Sequence, residues 1–470
     1  MTASQTAGSP TLTEEHVDRT VEAIVRLARS VAYPELTEQE RHGASRVLLD
    51  SLGCALGAYD DPAPVVARQM AATASGDRPC TLIGEARPTH GDFAAFANGV
   101  MVRYLDFNDT YASPHGVGHP SDYIPAVLAA AEEVGAGGPA IVEGIAVAYE
   151  IFAALTDATR LGVEGFDHVL PGDVASAVAA GVVWKLTDHQ LRQAVSLSLV
   201  PNFGLQATRL GELSMWKGCA SANACRNGLF AARLARAGLT GPPEPFSGRA
   251  GFEAVLQRKV DLSALEIPAG TRVVGRSNLK RYPAGYFSQG AIDAALELRQ
   301  QVAGEGSITQ VEIGTFAYGA RVMAGDPEKW RPATRESADH SIPYVVATAL
   351  VHGDLGLERF SPEALADPEV ARVLSGLTVH EDPECVSAWP EAVMTTMRVA
   401  TSSGREAETR VRHYRGHALN PMSDGEIEEK ARVLSAGRLP ENQFQELVAA
   451  VWSLERIDGV GELLRLTHPR

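Results

Sequence analysis

The stretch from residue 104 to 125, YLDFNDTYASPHGVGHPSDYIP, constrains this chain more than any other. Apolar residues on both sides recur at helical spacing, so it reads as a polar break between two buried helices. Within it lie Asp106, Asp109, Thr110, His115 and His119. Polar groups in such a place are costly unless each finds a partner or does chemistry. Asp supplies a base or an orienting acceptor, and His titrates closest to neutrality, so together they can form a proton-transfer pair. The structural alternative is an interhelix loop in which Ser121 or Asp122 caps the next helix.

The rest of the first block, to about residue 268, also reads as helix. Val17, Val21, Ile24, Ala28 and Val31 fall on one helical face. Thr37 and Glu40 form a capping box opening a second helix that ends near Gly57. Residues 90–104 are apolar nearly all round, as a core helix is. Further helices are expected over 121–135, 139–155, 173–186, 188–199 and 220–237. After residue 268 the pattern changes. Helical segments at 284–303 and 341–352 alternate with strand-like stretches at 308–317, 377–381 and 393–401, the last turning through Ser402-Ser403-Gly404 into a hairpin. A capping box at Ser423 and Glu426 opens a final helical stretch. The expected fold is therefore mainly α: a large all-helical domain (1–268, with 1–12 disordered), a smaller α+β insert (269–410), and C-terminal helices (411–470) returning to the first domain. A cleft between the two domains is the default site.

Composition narrows the function. The net charge of −16 leaves no basic run able to track a phosphate backbone, which argues against nucleic-acid binding. The same excess makes any local cluster of Lys and Arg informative, because a small anionic substrate would need one. Cys54, Cys80, Cys219, Cys225 and Cys385 are scattered, without a CxxC pair or the thiolate grouping of an iron–sulfur cluster. The N-terminus lacks an apolar or Arg-rich targeting pattern, and no apolar run reads as long enough to span a membrane. The expected location is cytoplasmic.

Four further segments can carry chemistry. His168 follows a Gly break in GFDHV. Lys217 precedes a run of small residues in SMWKGCASAN, an isolated cation at a helix start or a solvated lysine. Lys280 and Arg281 lie in LKRYPAGY before a helix, a carboxylate pocket or a surface charge pair. Tyr344, in ADHSIPY, either donates into a cleft or is satisfied by backbone inside the core. No nucleotide-binding Gly-rich loop, HExxH or GxSxG motif is present.

The ordered set YLDFNDTY, HPSD, GFDHV, ADHSIPY and NPMSD strongly resembles the MmgE/PrpD family over about residues 14–435. That family includes 2-methylcitrate dehydratase, cis-aconitate decarboxylase and iminodisuccinate epimerase. The resemblance implies a helical domain with an α+β lid, a homodimer, no metal or organic cofactor, and a small di- or tricarboxylate substrate. It places the active site on Asp106, Thr110, His119, His168, Lys217 and Tyr344, with Lys280 and Arg281 facing the cleft. His115 is a second imidazole in the loop before His119. The forms DFNDTY…HPSD and GFDHV, with HEDPE at 380–384, lie closer to the dehydratases. His119 and His168 are then the expected proton carriers, Asp106 orients one imidazole, and Lys217, Lys280 and Arg281 neutralise carboxylates.

Overall fold

The computed structural model describes residues 18–161, 165–211 and 213–470. The expected disorder of 1–12 and the helix-face position of Val17 lie outside them.

Two hydrophobic cores organise the chain. The first draws its buried residues from 21–279 and again from 422–464. The second draws them from 282–414. Helices Gly138–Thr159, Leu170–Val183 and Ala220–Arg236 form the centre of the first core. Their small residues set the packing distance. A Cβ on Gly228 would lie 2.3 Å from the Asp173 carbonyl oxygen, and one on Gly172 would lie 1.9 Å from Tyr123 Cζ. Only glycine permits such close approach.

Local signals act where they were legible. Thr37 and Glu40 close a reciprocal capping box at helix Glu38–Gly57, and Ser423 and Glu426 do the same at Asp424–Ser435. Helix Gly91–Tyr104 is buried over most of its circumference. Ser121 and Asp122 cap nothing: residues Pro120–Tyr123 form a 3₁₀ turn without a side-chain cap and run directly into helix Ile124–Val134.

The first block is not purely helical. Strands Cys80–Leu82 and Glu85–Thr89 make one hairpin, turning at Gly84 with φ +86°. Tyr111–Ser113 and Gly116–Gly118 make another inside the polar break. Strands this short show no alternation long enough to read, so helical spacing on both sides masks them. A second correction concerns helix Gly138–Thr159, which is long and apolar enough to cross a membrane by length and composition. The protein buries 83% of its most apolar window.

The second core carries a four-stranded sheet in the order Leu377–Glu381, Ile308–Thr315, Thr395–Thr401, Glu406–Val411. The first pair is parallel and the others antiparallel. Thr395, Met397, Val399 and Thr401 alternate inward at strand period, under helix Gln289–Gln301. The chain leaves the first core and returns to it side by side: the Leu279 N–H donates to the Gly416 carbonyl at 2.9 Å.

Candidate active site

A cavity of about 530 Å³ lies between the two cores. Asp106, His119, His168 and Lys217 reach it from the first, Lys280 from the crossover, and Tyr286, Phe287, Tyr318, Lys329, His340 and Trp389 from the second.

Asp106 is its electrostatic centre. Helix Gly91–Tyr104 ends two residues earlier, and Asp106 adopts φ +51°, which an L-residue holds only when its surroundings fix it. Those surroundings are cationic. Arg103 Nη1 and Lys280 Nζ each donate to Asp106 Oδ1 at 2.6 Å, Lys280 also donates to the Asp106 carbonyl at 2.8 Å, and Lys217 Nζ lies 3.5 Å from Oδ2. Burial opposes the charge of Asp106, yet Arg103, Lys280 and Lys217 hold its carboxyl well below the usual range.

His119 is placed by the backbone of its own loop. Ser121 donates through N–H and Oγ to Asp109 Oδ1 at 3.2 and 2.6 Å, and Asn108 Nδ2 bridges Ser121 Oγ and Asp122 Oδ1 at 2.8 Å each. This buried network holds the Asp109 carbonyl 2.7 Å from His119 Nδ1. A carbonyl only accepts, so Nδ1 carries the proton and Nε2 keeps its lone pair. Burial first, then Arg103 and Lys280, push the His119 imidazole well below its ordinary value, so it rests neutral.

His168 stands edge-on to His119, ring centroids 5.9 Å apart. Its Nδ1 lies 3.1 Å from Asp167 Oδ1, and its buried Nε2 has no protein partner among the described residues. Burial and the nearby Arg209 bring its imidazole down to about 3. Arg209 ties this corner together, donating to Asp167 Oδ1 at 3.2 Å and to the Lys217 carbonyl at 2.8 Å.

The expected residues do not all arrive at the cavity. His115 lines it from the hairpin turn, its N–H on Ser113 Oγ at 3.1 Å. Thr110 does not line it; its N–H donates to the Asn278 carbonyl at 2.8 Å, with Oγ1 3.5 Å from His119 Nδ1. Arg281 is exposed where its neighbour Lys280 is fully buried, its ammonium taken by Asp106. Tyr344 is buried in the second core, its hydroxyl donating to the Arg359 carbonyl, away from the cavity. The side chain of that segment that enters the cavity is His340. Its Nε2 lies 3.1 Å from Asp106 Oδ2 and its Nδ1 2.5 Å from Asp339 Oδ1. Asp106 therefore contacts the His340 imidazole rather than His119 or His168. Burial first, then Lys217, brings His340 down to about 4.

Sequence reasoning missed Arg103, Asp167, Arg209, Lys329 and His340. Arg103 had a signal, as the sole cation of an otherwise apolar helix three residues before Asp106. Asp167 sits next to His168, and His340 lies four residues before Tyr344 in the ADHSIPY segment. Arg209 and Lys329 gave none.

Asp106, Asp339 and His340 bring possible ligand atoms within 4.8 Å of one another. Lys280, at 2.6 Å from Asp106, and Lys217, at 3.0 Å from Asp339, already occupy the space a divalent cation would take. The donor set fits a metal poorly.

Fold and cavity together define a mainly helical, two-core protein in which a cation-lined chamber faces paired imidazoles. The chain belongs to the MmgE/PrpD family: the profile of the MmgE/PrpD N-terminal domain matches residues 22–265 and that of the C-terminal domain residues 282–455. It is 29% identical over 459 residues to a 2-methylcitrate dehydratase of Salmonella typhimurium, covering 90% of this chain and 92% of the relative. It is 29% identical over 450 residues to one from Cupriavidus necator, covering 89% and 90%. With the cis-aconitate decarboxylase of Homo sapiens it shares 24% identity over 451 residues, covering 92% and 91%.

Proposed function

We propose that the protein is a lyase that dehydrates 2-methylcitrate, or a related tricarboxylate, to its cis-aconitate-type product without a metal or organic cofactor. One observation carries the reading. In a chain of net charge −16, Arg103, Arg160, Arg209, Lys217, Lys280 and Lys329 converge on one cavity beside the neutral imidazoles of His119, His168 and His340. The relatives named 2-methylcitrate dehydratase support the same choice.

Substrate carboxylates enter among the cations, which also stabilise charge as the carbon next to a carboxylate becomes enolate-like. His119 Nε2, with its lone pair free, takes the carbon-bound proton. The electron pair of that C–H bond forms the C=C bond, the neighbouring C–O bond breaks, and hydroxide leaves as water with a proton from His168. His168 rests neutral in the empty site. As the tricarboxylate binds, its negative charge offsets the burial and the Arg209 charge that depress His168, so Nε2 takes up a proton from solvent and passes it to the leaving hydroxide, while Asp167 holds Nδ1. The aromatic side chains from the second core give a substituent such as methyl a dry surface.

In this reading the second core is a lid, with the domain limits 1–268, 269–410 and 411–470 expected from the sequence, and the protein works as a homodimer in the cytoplasm. Leu205, Leu210, Met215 and Trp216, each about half exposed or more beside Lys217, supply an apolar strip for a second subunit.

The second reading is decarboxylation of cis-aconitate, which the human relative's name favours. Proton NMR of the protein with 2-methylcitrate, citrate, cis-aconitate and iminodisuccinate separates the cases. An unsaturated tricarboxylate formed from 2-methylcitrate supports the dehydratase. Carbon dioxide released from cis-aconitate, or solvent deuterium washed into iminodisuccinate without loss of water, moves the function to decarboxylation or epimerisation.

A further inference from the structure

The cations around the cavity are not equivalent. Lys217 is held by Asp339 at 3.0 Å, Lys280 and Arg103 by Asp106 at 2.6 Å each, Arg209 by Asp167 at 3.2 Å, and the half-exposed Arg160 by Asp261 at 3.6 Å. Lys329 differs. It lines the same cavity and is only 6% exposed, and among the described residues its ammonium forms no hydrogen bond or ion pair. The acidic neighbours on its own turn, Asp326 and Glu328, are exposed. Its backbone is fixed: Ser341 Oγ donates to the Lys329 carbonyl, and Trp330 Nε1 donates to the Ala324 carbonyl at 2.8 Å. An enclosed ammonium without a contacting counter-ion is costly: burial and Lys217 oppose its charge, and Asp339, Asp326 and Glu328 offset this only from beyond ion-pair distance.

We propose that Lys329 is a substrate-binding residue whose ammonium receives one carboxylate of the bound polycarboxylate. This rests on the reading of the cavity as a polycarboxylate site. The internally paired cations set the field around the reacting carbon, and Lys329 keeps its charge free for the ligand. Loss of Lys329 therefore weakens binding more than it slows chemistry.

The test is calorimetric titration of tricarballylate, a tricarboxylate without a hydroxyl to eliminate, into the wild-type protein, Lys329→Met and Lys329→Arg. Lys329→Met should weaken binding by about 10–100-fold, the size of a lost charge-assisted hydrogen bond, and Lys329→Arg should recover most of it. With 2-methylcitrate, KM should rise by a similar factor with little change in kcat. Equal affinity in the wild type and Lys329→Met overturns the proposal. So does an arginine variant no better than methionine with kcat falling alongside, which marks a structural role. A wild-type protein that fails to bind tricarballylate overturns the polycarboxylate reading itself. Binding without turnover of 2-methylcitrate overturns the dehydratase alone and leaves Lys329 to be judged by calorimetry.

Discussion

His119 owes its role to an atom in another residue. The Asp109 carbonyl fixes the Nδ1 proton and leaves Nε2 as the base. Replacing His119 by Ala should lower kcat/KM for 2-methylcitrate by about 10²–10⁴-fold, with the unfolding midpoint moved by no more than about 5 °C. Parallel kinetics and calorimetry check this, and a variant that keeps near-wild-type turnover removes His119 from the mechanism. The depressed imidazoles predict a pH response. A folded-state pKa below the ordinary 6.5 keeps His119 unprotonated as pH falls through 6.5, so kcat/KM should not fall from pH 7 to 6 and should rise there, because His168 must gain a proton to act as the acid. NMR titration should likewise show His168 and His340 resonances unmoved between pH 7 and 6, given values of about 3 and 4. An ordinary midpoint near 6.5 for either would contradict the burial argument. Residue type and local order made His119, His168, Lys217 and Lys280 legible as candidates. Which side chain of a pair turns inward was not: Lys280 against Arg281 and His340 against Tyr344 are decided by packing of segments distant in the chain.

At the scale of elements, the capping boxes at Thr37 and Ser423 and the hairpin after residue 393 were readable because each rests on contacts a few residues apart. The hairpin of Tyr111–Ser113 with Gly116–Gly118 was not, since three-residue strands between helices carry no period of their own. The returning helix Asp424–Ser435 does more than close the core. Its Lys430 Nζ donates to Asp50 Oδ1 and to the Phe107 carbonyl at 2.6 Å each, and to the Lys280 carbonyl at 2.9 Å. One ammonium thereby grips the backbone at Lys280 and beside Asp106. Lys430→Met leaves Asp50 buried and alone and should cost about 3–5 kcal/mol. Asp50→Asn combined with Lys430→Met should recover part of that stability but not kcat, since the two backbone grips stay lost. Chemical denaturation and steady-state rates on the single and double variants check this; recovery of both together would make Lys430 structural only.

For the whole molecule, the sequence pattern changes near residue 268, while the buried residues pass from the first core to the second between Leu279 and Tyr282 and come back to the first from Met422. The cavity was not visible, because its walls come from both cores and meet only when the chain is folded. A proposed second subunit over Leu205, Leu210, Met215 and Trp216 predicts a particle of twice the chain mass by light scattering. Trp216→Glu should yield monomers with reduced activity, and a wild-type monomer would remove the dimer from the account. The central claim is that side chains alone, with His119 as base, eliminate water from a tricarboxylate. The most direct test is proton NMR of 2-methylcitrate turnover by the wild-type protein and His119→Ala, each with excess chelator. The wild type should form an unsaturated tricarboxylate at an undiminished rate, and the variant should lose turnover by about 10²–10⁴-fold. A wild-type rate abolished by the chelator, or a variant as fast as the wild type, would contradict it.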